Sequence, residues 1–392
     1  MSRIAVRMDT DTIPVTGVDA LENHLDELLQ DPNLPLIVKL FDDVELQLTD
    51  ANIPPLIPQL LPKITEVLKT YQQDPAALCS LAIKLLRPLT LTQVLSLASE
   101  DAIIQALRSP APSANLLAMA VLEKGARSPA DAAILAMMKS LVTHFVIQWL
   151  SAPQVEVGEK GTRVLGDLLD TDCDSRQQQP QQNGLSVNGV NGDSNGNGLE
   201  IAIRAKPPGQ GLMWRRIFHD RDIYGLILSL CSDGPQRHPD AEDVPRLLDQ
   251  KHTIAQGRLL RILPRLAALN LPAVARTDFP DLNERYAGIG DDDRDAGLLR
   301  FAALHMIDYD DALMYYNLVD FFEALLSIQR LVPYSAYKME TLRKLVRDAT
   351  TATAAGGGEI LLKNALLTLP ERTVPEEADE LRRFLHDVIE TS

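Results

Sequence analysis

Apolar positions recur at helical spacing along most of this chain. In DALENHLDELLQD, residues 19–31, Leu21, Leu25, Leu28 and Leu29 fall on one face of a 3.6-residue turn. DPAALCSLAIKLL, residues 74–86, opens with Asp74 as an N-cap and Pro75 at the first helical position, where a missing N–H costs nothing. The same proline-led start recurs at Pro110, Pro129 and Pro153. Further on, 310–328 carries Leu318, Phe322, Leu325 and Leu326 at helical spacing. The stretch 376–390 puts Leu381, Phe384, Leu385 and Val388 on one face and charge elsewhere, as a terminal capping helix needs.

The pattern also repeats over a longer distance. IIQALRSP at 103–110 returns as VIQWLSAP at 146–153, 43 residues later, and Val121–Leu122 matches Val164–Leu165 at the same offset. A helical period in this range is that of armadillo and HEAT repeats. One such helix pair cannot bury its own apolar face, so neighbours must stack. The expected fold is therefore all-α, a HEAT/armadillo-like solenoid of stacked helix pairs. TRVLGDLL at 162–169 against LRILPRLA at 260–267 is a looser echo.

Residues 174–210 interrupt the pattern. QQQPQQNGLSVNGVNGDSNGNG has five Asn-Gly pairs and almost nothing to bury, so a disordered surface insertion is expected. No alternating apolar strands flank it, which removes the hairpin reading of Asn-Gly. The chain then divides into N-terminal repeats (1–173), the Asn/Gly/Gln-rich insertion (174–210) and C-terminal repeats (211–392).

Composition narrows the function classes. Hydrophobic residues make up 45% but aromatics only 5%, so Leu and Ala carry the core, as in helix-on-helix packing. A net charge of −16 repels a phosphate backbone and argues against direct nucleic-acid binding. Cys79, Cys173 and Cys231 are few and scattered, which fits a reducing compartment and neither a disulfide framework nor a zinc site. Asp9 and Asp11 interrupt the N-terminal stretch before a signal-peptide core forms, and no window of about 18 uninterrupted apolar residues exists to span a bilayer. Cytoplasm and nucleus are the expected locations, with no membrane partner.

Candidate chemistry is sparse. His219-Asp220 resembles the HD doublet of metal-dependent phosphohydrolases, but His238, in the loop HPDAEDVP, and His252 bring no matching ligand pattern. GDDDRDAG at 290–297 invites a calcium loop starting at Asp291, yet the places for the required Gly and Glu hold Ala296 and Ala302. AAGGGEIL at 354–361 lacks the Gly-Lys-Ser/Thr of a phosphate loop and reads as a linker. No catalytic residue, metal site, cofactor or small-molecule substrate is expected. In MWRRIFHDRDIYGLI, 213–227, Asp220 or Asp222 can cap a helix that buries Ile223, Leu226, Ile227 and Leu230, after a short apolar turn of Trp214, Ile217 and Phe218. In 253–267, Leu259, Ile262, Leu263 and Leu266 form the apolar side, and Arg258, Arg261 and Arg265 share another face. That stripe is either a solvated face or a docking stripe for acidic side chains. With Arg215 and Arg216, its three arginines are the candidate partner-binding residues.

VEVGEKGTRVLGDLLDTDC (155–173), LMWRRIFHDRDIYGLILSLCS (212–232) and GRLLRILPRLAAL (257–269) resemble segments of fungal members of the 26S proteasome non-ATPase regulatory subunit 5 family. Yeast-type members of that family are also labelled DNA mismatch repair proteins. The resemblance implies a non-enzymatic solenoid that chaperones assembly of the base of the proteasome regulatory particle. Its partner would be the C-terminal domain of one ATPase subunit. Other classes compatible with the residues are a different helical-repeat adaptor, of transport or phosphatase type, and an HD-type hydrolase.

Overall fold

A computed structural model describes residues 14–174, 208–232, 247–288, 295–309, 311–355 and 359–389. Most of the Asn/Gly/Gln-rich stretch, His238 with its loop, the acidic positions 291–293 and the glycines 356–358 lie outside these residues. The protein is all-α, of the solenoid type, with helices packed in neighbouring pairs and no strand among the described residues. In chain order the helices are α1 (Val18–Gln30), α2 (Val38–Gln47), α3 (Ile53–Thr70), α4 (Ala76–Leu86), α5 (Leu91–Leu97), α6 (Glu100–Arg108), α7 (Pro112–Glu123), α8 (Pro129–Met137), α9 (Lys139–Ser151) and α10 (Val155–Thr171). They continue with α11 (Leu212–Phe218), α12 (Arg221–Cys231), α13 (Leu247–Ala275), α14 (Pro280–Ala287), α15 (Leu298–Leu304), α16 (Ala312–Leu331), α17 (Ala336–Ala355), α18 (Glu359–Thr368) and α19 (Pro375–Ile389). No single helix among the described residues is long and apolar enough to cross a membrane.

Two compact units are present. The first comprises Met1–Gly125 with Met138–Val164, the second Ala126–Met137 with Leu165–Ser392. The division falls inside α10 and not at the Asn/Gly/Gln-rich stretch, because the second half of α10 is bonded to the helices that follow that stretch.

In the first unit, α6 packs on α7 and on α9. At most matched positions the 43-residue offset aligns burial as well as letters, although Ile104 is buried and its equivalent Ile147 is exposed. Ile103 and Leu107 of α6 are buried, as are Val146 and Leu150 of α9, and Val121–Leu122 of α7 is buried like Val164–Leu165 of α10. The Trp149 indole is buried and donates to the Thr162 hydroxyl at 2.9 Å. Gly161 lets the two helices close over it, since a Cβ there would stand 2.7 Å from the ring. In α1, Leu21, Leu25 and Leu28 are fully buried, whereas Leu29 is largely exposed. His24 takes part in the buried stripe instead, and its Nε2 accepts the Ile37 N–H at 3.2 Å. Pro75 holds the N-cap position of α4, and the Asp74 carboxylate accepts the Ala76 N–H at 3.0 Å from one residue further out.

In the second unit, α13 packs on α15 and α16, and α17 packs on α18 and α19. Leu318, Phe322, Leu325 and Leu326 of α16 are all fully buried, each contributing on the order of 2 kcal/mol by leaving water. The α16 start is capped by Asp311, which accepts the Leu313 and Met314 N–H groups. Leu381, Leu385 and Val388 of α19 are buried, and Phe384 is half-buried beneath the Lys338 ammonium. α13 breaks at Asn270, whose backbone is extended (φ −154°, ψ 81°). Its side chain then accepts the Ala273 N–H at 3.2 Å and restarts the helix.

Two buried lysines close helix ends, one in each unit. Lys124 donates to the carbonyls of Leu86, the last residue of α4, and of Leu89 beyond it, and Lys338 to those of Gln329 and Val332 at the end of α16. Helix C-termini leave carbonyls without intrahelical partners, and an ammonium satisfies two at once.

Candidate functional site

The polar cluster at 213–222 sits where α11 meets α12. Its apolar members are core: Met213, Trp214, Ile217, Phe218 and Ile223 are buried. Trp214, Ile217 and Phe218 belong to a helix of seven residues, longer than the single turn expected. The Trp214 ring stacks on Phe218 at 5.3 Å, and its indole N–H donates to the Leu169 carbonyl at 2.9 Å.

Most charges around this core have a partner within the fold. Asp220, and not Asp222, is the cap of α12, accepting the Asp222 and Ile223 N–H groups at 3.1 and 3.4 Å. Arg216 donates to the Ala136 carbonyl at 2.7 Å and to the Asp220 carboxylate at 2.5 Å. The His219 Nδ1 lies 2.5 Å from the Asp278 carboxylate. Arg221 makes a two-pronged pair with Asp281, which raises the guanidinium pKa and holds that carboxyl below its usual range. Arg215 is exposed. The two members of the HD doublet therefore face different structural partners. His252 is likewise turned to backbone, its Nδ1 being 3.2 Å from the Leu230 carbonyl.

Ala296, just before α15, and Ala302, within it, are both fully buried. Among the described residues, no three His, Cys, Asp or Glu side chains gather as a metal would require. The three thiols are buried. Burial pushes Cys79 up to about 11, and Cys173 and Cys231 upward too, so all three remain protonated at neutral pH.

The arginines of α13 occupy three different surroundings. Arg265 reaches α10, donating to Asp167 at 2.8 Å with Asp170 at 3.9 Å. Its guanidinium lies across Gly166, where a Cβ would meet Nη1 at 2.4 Å, so a side chain there would push the arginine aside. Arg258 is half-buried, and desolvation holds its pKa below the ordinary arginine value. Arg261 is exposed and lines a cleft of about 190 Å³ between α13 and α16, together with Gly257, Pro264, Asn317, Asp320 and Phe321. The structure thus separates the stripe into a bridging, a half-buried and an exposed arginine.

The exposed apolar positions of α16 beyond that cleft were not legible in the apolar pattern. Leu313 and Tyr316 are 69% and 59% exposed, and they share the outer face of α16 with Asp320. The signal is phase: Leu313 and Tyr316 fall a step off the stripe formed by Met314, Leu318, Phe322 and Leu325.

No protein-family model matches this chain, and no curated protein is significantly similar to it.

Proposed function

We propose that this protein is a non-catalytic assembly chaperone for the base of the proteasome regulatory particle, which holds the C-terminal domain of one ATPase subunit against its helical surface. One observation carries the reading. The three segments that resemble the subunit 5 family meet physically: Trp214 of the second bonds to Leu169 of the first, and Arg265 of the third pairs with Asp167 of the first. Residues that share both a sequence likeness and a packed arrangement belong to one structural module, and likeness in scattered helices would carry less. The chemistry supports the same reading. The charged side chains that could suggest catalysis are engaged in caps and interhelical pairs, which is the work of a scaffold.

The surface offered to the partner is the outer side of α13 and α16. Arg261 supplies a guanidinium able to meet a carboxylate with two parallel hydrogen bonds. Leu313 and Tyr316 supply exposed apolar area of the kind found at interface centres. Arg215 is a further exposed cation of the same unit, Arg216 and Arg265 act chiefly in holding the helices, and Arg258 is half-buried. The test is affinity purification with mass spectrometry from cells assembling proteasomes. Recovery of an ATPase subunit of the base supports the proposal. Recovery of transport or phosphatase subunits alone would assign the chain to another adaptor class.

A further inference from the structure

The first unit contains a hollow that its own side chains leave unfilled, about 500 Å³ bounded by α3, α4, α5, α6 and α7. The hollow opens to solvent on one side, so it is a groove that a ligand can enter and not a sealed void. It falls in the size range of small-molecule pockets. The cause is local: where other helix faces present Leu or Val, this one presents Ala98, Ala102, Ala106, Ala111, Ala114 and Ala118. Its floor is apolar and buried, formed by Leu61, Leu86, Val94, Ile103 and Val121. Water in such a space finds few hydrogen-bond partners and is readily displaced by an alkyl group.

The charge around the hollow is selective. The chain carries 54 acidic residues against 38 basic ones, yet no carboxylate is among the lining residues. The one charged lining residue is Lys69, exposed near Tyr71 and Gln72. Lys69 also touches Glu66 at 2.5 Å, but an ammonium has three donors and can serve a second anion. A peptide occupant fits less well, because it would need polar partners along its length. Three of the polar lining groups are engaged already: Thr65 donates to the Leu61 carbonyl, Ser109 accepts the Ala111 N–H, and Gln73 donates to the Asn33 carbonyl.

We propose that this hollow is a binding site for a linear amphiphilic carboxylate, its alkyl chain lying among the alanines and its head group at Lys69. This site is independent of the α13–α16 surface and of the chaperone reading.

The test is titration of the full-length protein with the fluorescent apolar anion anilinonaphthalene sulfonate, followed by displacement with laurate. The expected result is saturable dye binding at a single site, reversed by laurate. Ala106→Phe and, separately, Ala114→Phe fill the hollow from different helices and should abolish both, with the helical circular dichroism retained. Lys69→Gln, an exposed change, should weaken laurate about tenfold and leave dodecanol unaffected, since one charge-assisted contact is lost. Absence of a saturable site in the wild type would overturn the proposal, as would wild-type laurate affinity in a folded Phe variant. Should both Phe variants unfold, Lys69→Gln decides, and unchanged laurate affinity sinks the idea. Displacement of the dye by an amphipathic helical peptide and not by laurate would make the hollow a peptide groove and end the proposal too.

Discussion

Asp172 and Met213 flank the Asn/Gly/Gln-rich stretch, and a carboxylate oxygen of Asp172 accepts the Met213 backbone N–H at 2.6 Å. The same buried carboxylate accepts the N–H groups of Gln210 and Trp214, so it caps α11 from across the intervening chain. Beside it, the Gly209 N–H donates to the Cys173 carbonyl at 3.0 Å and the Gly211 N–H to the Asp172 carbonyl at 3.1 Å. The chain therefore leaves and returns at one point. Closing a loop between adjacent ends depends only weakly on its length. Replacing 176–206 with a short Gly-Ser linker is expected to leave the melting temperature within about 2 °C of wild type. Asp172→Ala is expected to cost about 2 kcal/mol, because N–H groups at a buried helix start lose their acceptor. A linker variant as destabilised as Asp172→Ala, measured by thermal unfolding, would contradict this.

Trp214 joins α11 to the end of α10 through its indole N–H, while its buried ring stacks on Phe218 of the same helix. Trp214→Ala is expected to cost roughly 3–5 kcal/mol. Trp214→Phe keeps most of the apolar contact but leaves the Leu169 carbonyl without its donor, a loss of about 1–2 kcal/mol. Denaturant unfolding measures both, and equal costs for the two variants would mean that the hydrogen bond, not the packing, is what the indole supplies.

The α12 cap is specific to one of two neighbouring aspartates. Asp220→Ala removes the acceptor for two N–H groups and the partner of Arg216, with an expected cost of about 1–2 kcal/mol. Asp222→Ala is expected to stay within about 0.5 kcal/mol. The reverse order in the same unfolding assay would move the cap to Asp222.

The Arg221–Asp281 pair makes a pH-dependent contribution whose sign is fixed. The hydrogen bond and charge of Arg221 depress the folded-state pKa of Asp281 below its ordinary value of 3.8. A depressed carboxyl stabilises the fold above that ordinary value and loses the contribution as pH falls through the depressed one. Both side chains are about half exposed, so the effect is small. By carboxyl NMR titration, Asp281 should have a midpoint below 3.8, returning toward it in Arg221→Gln. An unshifted wild-type midpoint would show that the pair does not persist in solution.

How much of this was legible in the sequence follows from which forces are local. Helix faces such as Leu318–Phe322–Leu325 are written in the 3.6-residue period, because burying one face decides them. The repeat was legible because Ile103 and Val146 meet equivalent packing demands. Long-range polar contacts were not: nothing near Arg265 in the chain points to Asp167, and the Gly166 that admits it reads as an ordinary helix residue. Lys124 and Lys338 look like surface lysines until the carbonyls they satisfy are seen. Leu29 and Leu313 look like core leucines, and only the angular offset from their neighbours sets them outside. Within the candidate site, Arg216 and Arg265 bond to neighbouring helices, and neither charge nor a shared helix face distinguishes such a side chain from one that meets a partner.

The most direct test of chaperone function is calorimetric titration of the purified protein with the isolated C-terminal domain of each proteasomal ATPase subunit. Saturable binding to one of these domains is expected. Arg261→Glu with Tyr316→Ala should weaken it by roughly 2–4 kcal/mol while leaving the melting temperature nearly unchanged. Arg265→Glu should instead lower the melting temperature, since it sets a third acid beside Asp167 and Asp170. Failure of the wild-type protein to bind any of the ATPase domains would contradict the proposed function.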